Sequence, residues 1–260
     1  YTTLFRSTGS IVDWQSSSDN GATWSGLTNT TNTNSYASLT DTTYYKAIVT
    51  SGVCGNDTTA TTIIGVDQLS VGGTINSADT VCATANSDTL ALTGYTGVVT
   101  GWEFSTNNGA SWMTLTNSND SLSYVDLSSS TSYHAIVKSG VCPAVFSATT
   151  KITVDATTNS GFITGGNTAC QANNTGVLNL NNSVGTVLDW IFSTDNGASW
   201  ISTTIDSTIA YTYNNLGDTT LFKAIVKNGV CSTDTSNSQT VYIYPNPIVS
   251  FTLDTVCYGD

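Results

Sequence analysis

Three tryptophans stand at a constant spacing of 88 residues, at positions 14, 102 and 190. Each begins nearly the same string, which reads WQSSSDNGATW, WEFSTNNGASW and WIFSTDNGASW in turn. A second string follows in step with the first, as YKAIVTSGVC, YHAIVKSGVC and FKAIVKNGVC. A long fixed period predicts an array of similar units rather than one large domain. Such an array favours a spacer, stalk or adhesive fibre, because a catalytic site does not need three copies in register.

The chain between these landmarks reads as short alternating runs of Thr, Val, Ile and Tyr, separated by Gly, Asn, Asp and Ser. This pattern predicts strands and no amphipathic helix. In the second unit, strands are expected near 71–75, 88–93, 97–105, 111–116, 121–125, 132–138 and 145–154. That number of strands in a unit of this length predicts an immunoglobulin-like β-sandwich. The predicted fold class is therefore all-β, with tandem sandwich domains in an elongated array.

The period also predicts the domain boundaries. The repeats are expected at 1–67 (incomplete at its N-terminal side), 68–155 and 156–245. The joint after the third repeat differs from the others, because Pro245 and Pro247 hold it extended. Residues 246–260 are therefore expected to form the first strand of a following, divergent repeat.

Three columns of residues are expected in the core of each repeat. The tryptophan that opens the first string falls on the third strand, where immunoglobulin-like domains carry a core tryptophan. The second string places an aromatic residue and an alanine on the sixth strand, and the alanine takes the position of the second cysteine of antibody domains. The expected core residues are Trp14, Trp102, Trp190, Tyr45, Tyr133, Phe222, Ala47, Ala135 and Ala224.

Charge excludes several function classes. The net charge is −12 with only six lysines and arginines, so no basic patch for nucleic acid can form. The same scarcity of cations argues against attraction to anionic lipid. No apolar run approaches the roughly 18 residues of a membrane span, so this segment is not expected to insert into a membrane.

The six cysteines form two columns in the repeat register. Cys82, Cys170 and Cys257 lie near the start of a repeat, and Cys54, Cys142 and Cys231 lie near its end. No CxxC pair occurs and only one histidine is present, which favours disulfides over a metal site. Pairing within repeats predicts the bonds Cys82–Cys142 and Cys170–Cys231, with Cys54 and Cys257 paired outside this chain or to an adjacent copy. Disulfides in turn predict an extracellular location, at the cell surface or in a secreted filament.

The strings SSDNGATW, STNNGASW and STDNGASW match or nearly match the Asp-box pattern of sialidases. Two observations exclude a sialidase. Propeller blades repeat at about 40–50 residues, and Arg6 is the only arginine available to grip a carboxylate. The strings are instead expected to be hairpin tips, in which Asn-Gly supplies positive φ angles.

The turn type decides where the second tryptophan of each string points. A two-residue Asn-Gly turn would pair Trp112 with Ser105 and place it on the face opposite to Trp102. A three-residue turn with a Gly bulge would pair it with Phe104 on the core side, and is favoured because an exposed tryptophan is costly. In the alternative, the second tryptophans form an exposed ladder that stacks on sugars or on a neighbouring filament. These residues are Trp24, Trp112 and Trp200.

Catalytic patterns are missing from the sequence. His134 is the only histidine, is replaced by lysine in the other repeats, and is expected to face solvent. Glu103 is the only glutamate, and no acid lies in an apolar run that would raise its pKa. The protein is therefore expected to be no enzyme and to need no cofactor. The acidic composition keeps a bound structural calcium ion as an open alternative, although no DxDxDG loop occurs in the sequence.

A modification signal recurs along the chain. Asp-Thr followed by an apolar residue or Thr resembles the O-glycosylation sequon of Bacteroidota, with threonine as the acceptor. The plainer interpretation is that Asp and Thr are common turn residues. The candidate acceptors are Thr42, Thr58, Thr80, Thr89, Thr219 and Thr255.

Taken together, VGGTIN, TVC, WEFSTNNGASW and YHAIVKSGVC resemble the immunoglobulin-like repeats of giant Bacteroidota cell-surface proteins, such as gliding-motility adhesins and surface filaments. The likeness covers all three repeats. It implies that the parent protein is exported by the type IX secretion system and anchored outside the cell. The expected function is a non-enzymatic structural or adhesive fibre segment. The alternative is a carbohydrate-binding array of a surface glycoside hydrolase.

The two ends of the chain carry one more hypothesis. The C-terminal VCYGD stops where the second strand of a unit should begin, and the N-terminal YTTLF reads like that strand. Joining Asp260 of one copy to Tyr1 of the next would complete a domain and give Cys257 and Cys54 their partners. In a variant, residues 246–257 of one subunit complete the first domain of the next by donor-strand assembly. The expected partners are neighbouring domains or copies of the same fibre, with surface polysaccharide as a further candidate.

Overall fold

The computed structural model of the chain describes residues 2–4, 9–76, 78–203, 207–253 and 258. These residues form β-strands and no helix, which confirms the predicted all-β fold class. Accordingly, the described residues include no helix with the length and apolar character needed to cross a membrane.

The strands fall into three groups that follow the repeats. The first group is β1 (Thr2–Leu4), β2 (Ser10–Ser17), β3 (Ser25–Gly26), β4 (Thr33–Ser35), β5 (Thr43–Thr50), β6 (Asp57–Thr58) and β7 (Thr62–Ile64). The second is β8 (Thr74–Ile75), β9 (Asp79–Cys82), β10 (Ser87–Thr93), β11 (Val98–Ser105), β12 (Met113–Leu115), β13 (Ser121–Val125), β14 (Thr131–Lys138), β15 (Val145–Phe146) and β16 (Thr150–Asp155). The third is β17 (Phe162–Gly165), β18 (Ala169–Cys170), β19 (Thr175–Asn181), β20 (Thr186–Ser193), β21 (Ile201–Ser202), β22 (Ala210–Asn214), β23 (Thr220–Lys227), β24 (Asp234–Thr235), β25 (Gln239–Val241) and β26 (Ile243–Tyr244).

Each repeat is built from two facing sheets. In the second repeat, β13, β10 and β8 form one sheet, and β12, β11, β14, β16 and β9 form the other, with β15 also on β14. In the third, β17, β19 and β22 face β21, β20, β23 and β24, with β25 on β23 and β18 beside β26. In the first, β1 pairs with β4, and β3, β2, β5 and β6 form the other sheet, with β7 on β5.

The hydrophobic core of each repeat lies between its sheets. In the second repeat, Leu90 and Leu92 of one sheet share a cluster with Trp102 and Val137 of the other. Trp102 is fully buried, and its Nε1–H donates to the Asn119 carbonyl at 2.9 Å. Its one polar atom is therefore satisfied inside the apolar layer. The buried residues also include all members of the three expected core columns, namely Trp14, Trp190, Tyr45, Tyr133, Phe222, Ala47, Ala135 and Ala224 beside Trp102.

The alanine column has a structural reason. The Ser147 N–H donates to the Ala135 carbonyl, and the Ser147 hydroxyl oxygen accepts from the Ala135 N–H, both at 2.9 Å. The third repeat makes the same two bonds between Ser236 and Ala224. The serine therefore bonds to the alanine backbone as a residue of a neighbouring strand would, and the small alanine side chain leaves room for this contact. The serine interrupts the strand, so the predicted last strand, 145–154, is divided into β15 and β16.

The strand β9 was not among the strands predicted from the sequence. It lies parallel to β16, with Cys82 opposite Asp155. In the third repeat β18 lies parallel to β26 in the same way, with Cys170 opposite Tyr244. Because β9 runs in the direction of the last strand, it carries its cysteine to the end of the repeat that adjoins the next one.

The chain beyond the third repeat contains no described strand. Residues 246–253 have no regular secondary structure. The rest of the segment expected to be a following first strand, apart from residue 258, lies outside the described residues.

Candidate functional site at the joints between repeats

A hairpin tip of the third repeat contacts the end of the second. The tip is a turn closed by a hydrogen bond from the Cys231 N–H to the Asn228 carbonyl at 2.9 Å. The Val230 N–H donates to the Asp155 carboxylate at 3.0 Å, and the Asn228 side-chain amide donates to the Ala156 carbonyl at 2.7 Å. The last residues of one repeat therefore accept hydrogen bonds from the tip of the next.

A glycine allows this close approach at each joint. Gly229 has a φ of +48°, and a Cβ at this position would overlap the Asp155 carboxylate. Gly140 has a φ of +46° at the preceding joint, where a Cβ would overlap the carboxylate of Asp67. At both joints a larger residue would displace the carboxylate that bonds the tip, and the left-handed backbone conformation also favours glycine.

A disulfide between Cys82 and Cys231 crosses the second joint. The sulfur atoms are 2.02 Å apart and the Cα atoms 4.9 Å, and the two residues are separated by 149 positions in the chain. The predicted bonds Cys82–Cys142 and Cys170–Cys231, which lie within repeats, are therefore wrong. The reason is the parallel pairing of β9 with β16, which carries Cys82 to the exit of its repeat. The late cysteine of the same repeat faces the opposite joint.

The first joint repeats these contacts without a disulfide. The Val141 N–H donates to the Asp67 carboxylate at 2.9 Å. The Cys142 sulfur lies 3.4 Å from the Gln68 carbonyl oxygen, and the corresponding contact of Cys231 measures 3.3 Å. The two tips are thus held alike, although only one carries a bonded sulfur.

Three cysteines of the described chain carry free thiols. Cys142 is half-buried, whereas Cys54 and Cys170 are exposed. Cys257 lies outside the described residues. The expectation that Cys54 and Cys257 find partners outside this chain or in an adjacent copy stays a prediction.

A buried asparagine holds each of the two early cysteines that the structure describes. The Asn86 side-chain amide donates to the carbonyls of Cys82 and Leu127 at 2.7 and 2.8 Å, and its oxygen accepts from the Leu127 N–H at 2.9 Å. Asn174 makes the corresponding bonds around Cys170. A fully bonded polar side chain in an apolar layer specifies one position for the strand it holds. The spacing Cys-x-x-x-Asn is a sequence signal that could have revealed this strand.

An aspartate fastens the linker to the third repeat. The Asp234 carboxylate accepts the Ser160 N–H at 2.9 Å. This backbone hydrogen bond is the largest cause that lowers the pKa of Asp234 below its ordinary value. Asp234 is therefore ionised at neutral pH, and its carboxylate keeps the hydrogen bond from the Ser160 N–H.

The tips of the first string have two-residue turns. The central Asn and Gly of the second repeat have φ angles of +56° and +84°, as a type I′ turn requires. Phe104 is opposite Met113, which places Trp112 on the face away from Trp102. The predicted three-residue turn with a Gly bulge is therefore wrong. The reason is that a two-residue turn needs positive φ angles at both central residues. Asn108 and Gly109 supply these angles, so no additional bulge residue is needed.

The second tryptophans cover the outer faces of the sheets, where they are half-buried. Trp112 stacks on His134 with 3.9 Å between the ring centroids. In the other two repeats a lysine nitrogen replaces the imidazole, 4.0 and 4.4 Å from the ring centroids of Trp24 and Trp200. The favourable cation–π contact at such sites is about 0.5–1 kcal/mol. One side of each ring is thus already occupied by the protein itself.

His134 is buried, which corrects the expectation that it faces solvent. Its ring lies between those of Trp112 and Phe146, with 4.5 Å to the centroid of the latter. Its Nε2 lies 2.8 Å from a carboxylate oxygen of Glu103. The histidine is therefore part of a packed patch on the outer face of the sheet.

Hydrogen bonds inside the first tip keep an aspartate ionised. The Ser17 hydroxyl donates to Asp19 at 2.6 Å, and the Thr23 hydroxyl and N–H donate at 2.5 and 2.8 Å. These bonds lower the pKa of Asp19 from 3.8 to about 2, with the Ser17 bond as the largest cause. The pKa of Asp195 is lowered to about 2 in the same way, chiefly by the Ser199 hydroxyl.

The second repeat carries Asn107 at this position, which gives a natural comparison for a pH experiment. In carboxyl NMR titrations, we expect midpoints near pH 2 for Asp19 and Asp195. Because their pKa in the folded protein lies below the ordinary value of 3.8, their stabilisation is present above pH 3.8 and is lost as the pH falls through about 2. Asp19→Asn should remove this acid sensitivity from the first tip and leave the third unchanged. Midpoints near 3.8 in the folded protein would contradict the hydrogen-bonded geometry.

The candidate acceptor threonines differ in access. Three of them are exposed, namely Thr58, Thr80 and Thr89. The hydroxyls of Thr42 and Thr219 each accept a backbone N–H, at 3.3 and 3.1 Å. Thr255 lies outside the described residues, and glycosylation at any of these positions stays a prediction.

Within the described ranges, no three His, Cys, Asp or Glu side chains come together in a way that would hold a metal ion. A structural calcium ion stays an untested prediction.

Fold and joints together define the class of this protein, a tandem array of immunoglobulin-like β-sandwich repeats. The chain belongs to the family described as "Domain of unknown function (DUF8696)", whose model matches residues 2–68, 71–156 and 159–245. A comparison with curated proteins finds no match.

Several solved structures are similar to the chain at low identity. The FN1–FN3 domains of chicken CNTN1 are 12% identical, with 90% of this chain and 89% of that chain covered and a TM-score of 0.34. Extracellular domains 3–5 of Drosophila OTK are 12% identical, with 92% and 87% covered and a TM-score of 0.39. Fibronectin(III)-like modules of Clostridium thermocellum CbhA are 12% identical, with 70% and 99% covered and a TM-score of 0.30.

The joint residues were missed by the sequence analysis. Asp67 and Asp155, which accept the tip N–H groups, stand 88 residues apart and follow a valine each time. This recurrence is the signal that could have found them. The repeat register shows only that these positions recur, and the contact with the next repeat becomes apparent only in three dimensions.

Proposed function

We propose that this chain is a non-enzymatic segment of an extracellular structural or adhesive fibre, such as the stalk of a surface adhesin or filament. The observation that carries the proposal is the Cys82–Cys231 disulfide, which joins two successive repeats across their joint. Disulfides persist in oxidising compartments, which supports the extracellular location. A bond between modules, in place of one inside each module, favours a mechanical role.

The disulfide gives tension a short covalent path. A pull along the chain reaches Cys82 near the start of the second repeat and passes through the sulfur atoms to Cys231 near the end of the third. Most of the chain between them is then not stretched. The tip donates hydrogen bonds from Val230 and Asn228 to Asp155 and Ala156, and these bonds hold the joint together under tension.

Single-molecule pulling between terminal handles tests this role. We expect a reducing agent to release roughly 500 Å of additional contour length, since the 149 positions between Cys82 and Cys231 become extensible at about 3.4 Å per residue. Cys54→Ser should leave the trace unchanged, because this exposed thiol takes no part in the bridge. Equal contour lengths with and without reductant would refute the mechanical role of the bridge.

The surface chemistry supports a fibre that avoids non-specific contacts. A net charge of −12 opposes adsorption to acidic surfaces. We extend the proposal to the surface of a Bacteroidota cell, with export by the type IX system and O-glycosylation at the exposed acceptor threonines. The proposed partners are neighbouring domains and other copies of the same fibre.

A carbohydrate-binding array is the second candidate function. The observation that favours it is the row of half-buried tryptophans on the outer faces, one in each repeat. Aromatic rings with one open side are suited to stacking on sugars. Retention of the protein on immobilised polysaccharides, with loss in Trp112→Ala, would support this function, whereas the fibre role requires no retention.

A further inference from the structure

The second repeat has a cleft beside one edge of β13. The cleft measures about 400 Å³ and lies between this strand and the opposite sheet. Leu122 and Leu127 line it from the side of β13, and Phe104 and Leu115 line it from the other sheet. All four side chains are only partly buried, and they pack against the hydrophobic core. The cleft therefore presents apolar surface that continues the core outward.

The edge of β13 that faces away from β10 has free backbone groups. On the β10 side, the Asp126 N–H donates to the Asn86 carbonyl at 2.7 Å, and the Asp120 carbonyl also accepts a hydrogen bond. Since backbone groups alternate between the two edges of a strand, those of Ser123 and Val125 point away from β10. They have no hydrogen-bond partner in the described part of the chain. Such groups are a template for an added strand.

A buried tyrosine in the cleft also lacks a partner. Tyr133 lines the cleft and is only 5% exposed. Its hydroxyl forms no hydrogen bond with any described residue. Burial raises the pKa of Tyr133, and the neighbouring Tyr124 raises it further, so the hydroxyl is protonated and can donate. An occupant with an acceptor group, such as a peptide carbonyl, would satisfy this donor.

The third repeat fills the same place with a larger side chain. Tyr211 takes the register position of Leu122. Its ring packs against Trp190 and Phe222, with 5.6 and 5.5 Å between the ring centroids. Phe222 in turn takes the position of Tyr133 and carries no hydroxyl. The apolar cleft and its free hydroxyl are therefore features of the second repeat that the third repeat does not share.

Two aspartates mark the ends of the free edge. Asp120 precedes β13 and Asp126 follows it, and both are exposed. Within the described ranges, neither forms a salt bridge with a lysine or arginine. The corresponding residues of the third repeat, Ile209 and Asn215, are uncharged. The acidic ends thus occur in the repeat that has the open cleft.

We propose that the β13 edge binds an extended segment of another protein as an added antiparallel strand, with apolar residues in the cleft and a basic residue at each end. The residues opposite Leu122 and Tyr124 then enter the cleft, and the basic residues stand opposite Asp120 and Asp126. These aspartates are six positions apart, which is about 20 Å along a strand. A second copy of this chain fits poorly, because its own edge carries the same acids and like charges repel. The site goes beyond the fibre role, since it gives the fibre a protein partner of stated chemistry.

The free backbone groups favour a peptide over a sugar in this cleft. Donors and acceptors that alternate along a strand match an extended backbone, which has the same spacing. The lining is largely aliphatic, whereas sugars stack on the faces of aromatic rings such as the outer tryptophans. The two candidate partners therefore belong to different surfaces of the repeat.

A seven-residue peptide with a fluorescent label tests the edge. It carries lysine at both ends, valine at its third and fifth positions, and threonine elsewhere. Fluorescence anisotropy with the full chain at low salt measures its affinity. Glutamate in place of both lysines should weaken binding at least about tenfold, because two attractions become repulsions. Amide NMR shifts on binding of the lysine peptide should be largest at Ser123 and Val125.

The third repeat supplies a matched variant. Leu122→Tyr introduces the residue that the third repeat carries at this position, and should weaken binding at least about tenfold because the apolar cleft is filled. Val125→Pro removes one free N–H of an edge strand and no ladder bond, and should weaken binding about fivefold. Trp112→Ala should leave the affinity for the peptide unchanged, because Trp112 lies on the outer face.

Three outcomes would overturn the proposal. In the first, the lysine and glutamate peptides bind equally. In the second, Leu122→Tyr and Val125→Pro bind the lysine peptide as the unaltered chain does. In the third, a neutral polysaccharide binds and Leu122→Tyr abolishes this binding, while the lysine peptide does not bind, which would assign the cleft to sugars. The pulling experiment reads only Cys82–Cys231, so this proposal and the fibre role fail independently.

Discussion

Replacing Trp102 by alanine should destabilise the second repeat by about 3–5 kcal/mol, the usual cost of removing a large aromatic side chain from a core. Trp102 is fully buried between the two sheets, and its indole N–H is bonded to the Asn119 carbonyl. The variant leaves both a cavity and an unpaired carbonyl. Hydrogen exchange followed by mass spectrometry at increasing urea measures the loss repeat by repeat, which matters because the chain contains several domains.

The chain offers a matched control in the same hairpin. Trp112 lies on the outer face, stacked on His134. Trp112→Ala should cost about 1 kcal/mol, the scale of one aromatic contact. Trp102→Phe provides a milder core variant if the alanine variant unfolds its repeat completely. Equal losses for the two alanine variants would show that the assignment of core and outer faces is wrong.

The core residues could be predicted because they recur with the 88-residue period of the sequence. Trp102 and Ala135 recur at a fixed spacing in alternating runs, and such a pattern specifies which face of a strand is buried. The outer face could not be predicted in this way. His134 alternates with the core residues as a solvent-facing residue does, and it is covered by Trp112, which returns over the turn, together with Phe146. Burial of that kind depends on the register of the hairpin and not on the periodicity of the strand.

The disulfide could not be derived from the cysteine columns alone. Cys82 and Cys170 recur with the same period as Cys142 and Cys231, to within one residue. Pairing within a repeat and pairing with the next repeat therefore leave the same pattern in the sequence. The direction of one strand decides between them. Since β9 runs parallel to the last strand of its repeat, Cys82 emerges at the exit, beside the tip of the following repeat.

Removing both bridge cysteines, as Cys82→Ser with Cys231→Ser, should lower the stability of the second and third repeats together. In the chain-entropy model, a closed loop of 149 positions stabilises by roughly 5 kcal/mol, because the bond restricts the unfolded chain. The loss falls on two repeats at once, since the loop runs from the start of one to the end of the other. The double variant also avoids leaving the Cys231 thiol unpaired in its buried position.

The first repeat serves as an internal reference for this experiment, because it lies outside the closed loop. Hydrogen exchange at increasing urea should show lower midpoints for the second and third repeats of the double variant and an unchanged midpoint for the first. Cys54→Ser should leave all three repeats as they are, since Cys54 is an exposed thiol without a bond in the described structure. If the third repeat alone lost stability, the bond would act as a local clamp at the tip. A loss shared by both repeats instead identifies a bridge that makes successive modules of the fibre unfold as one.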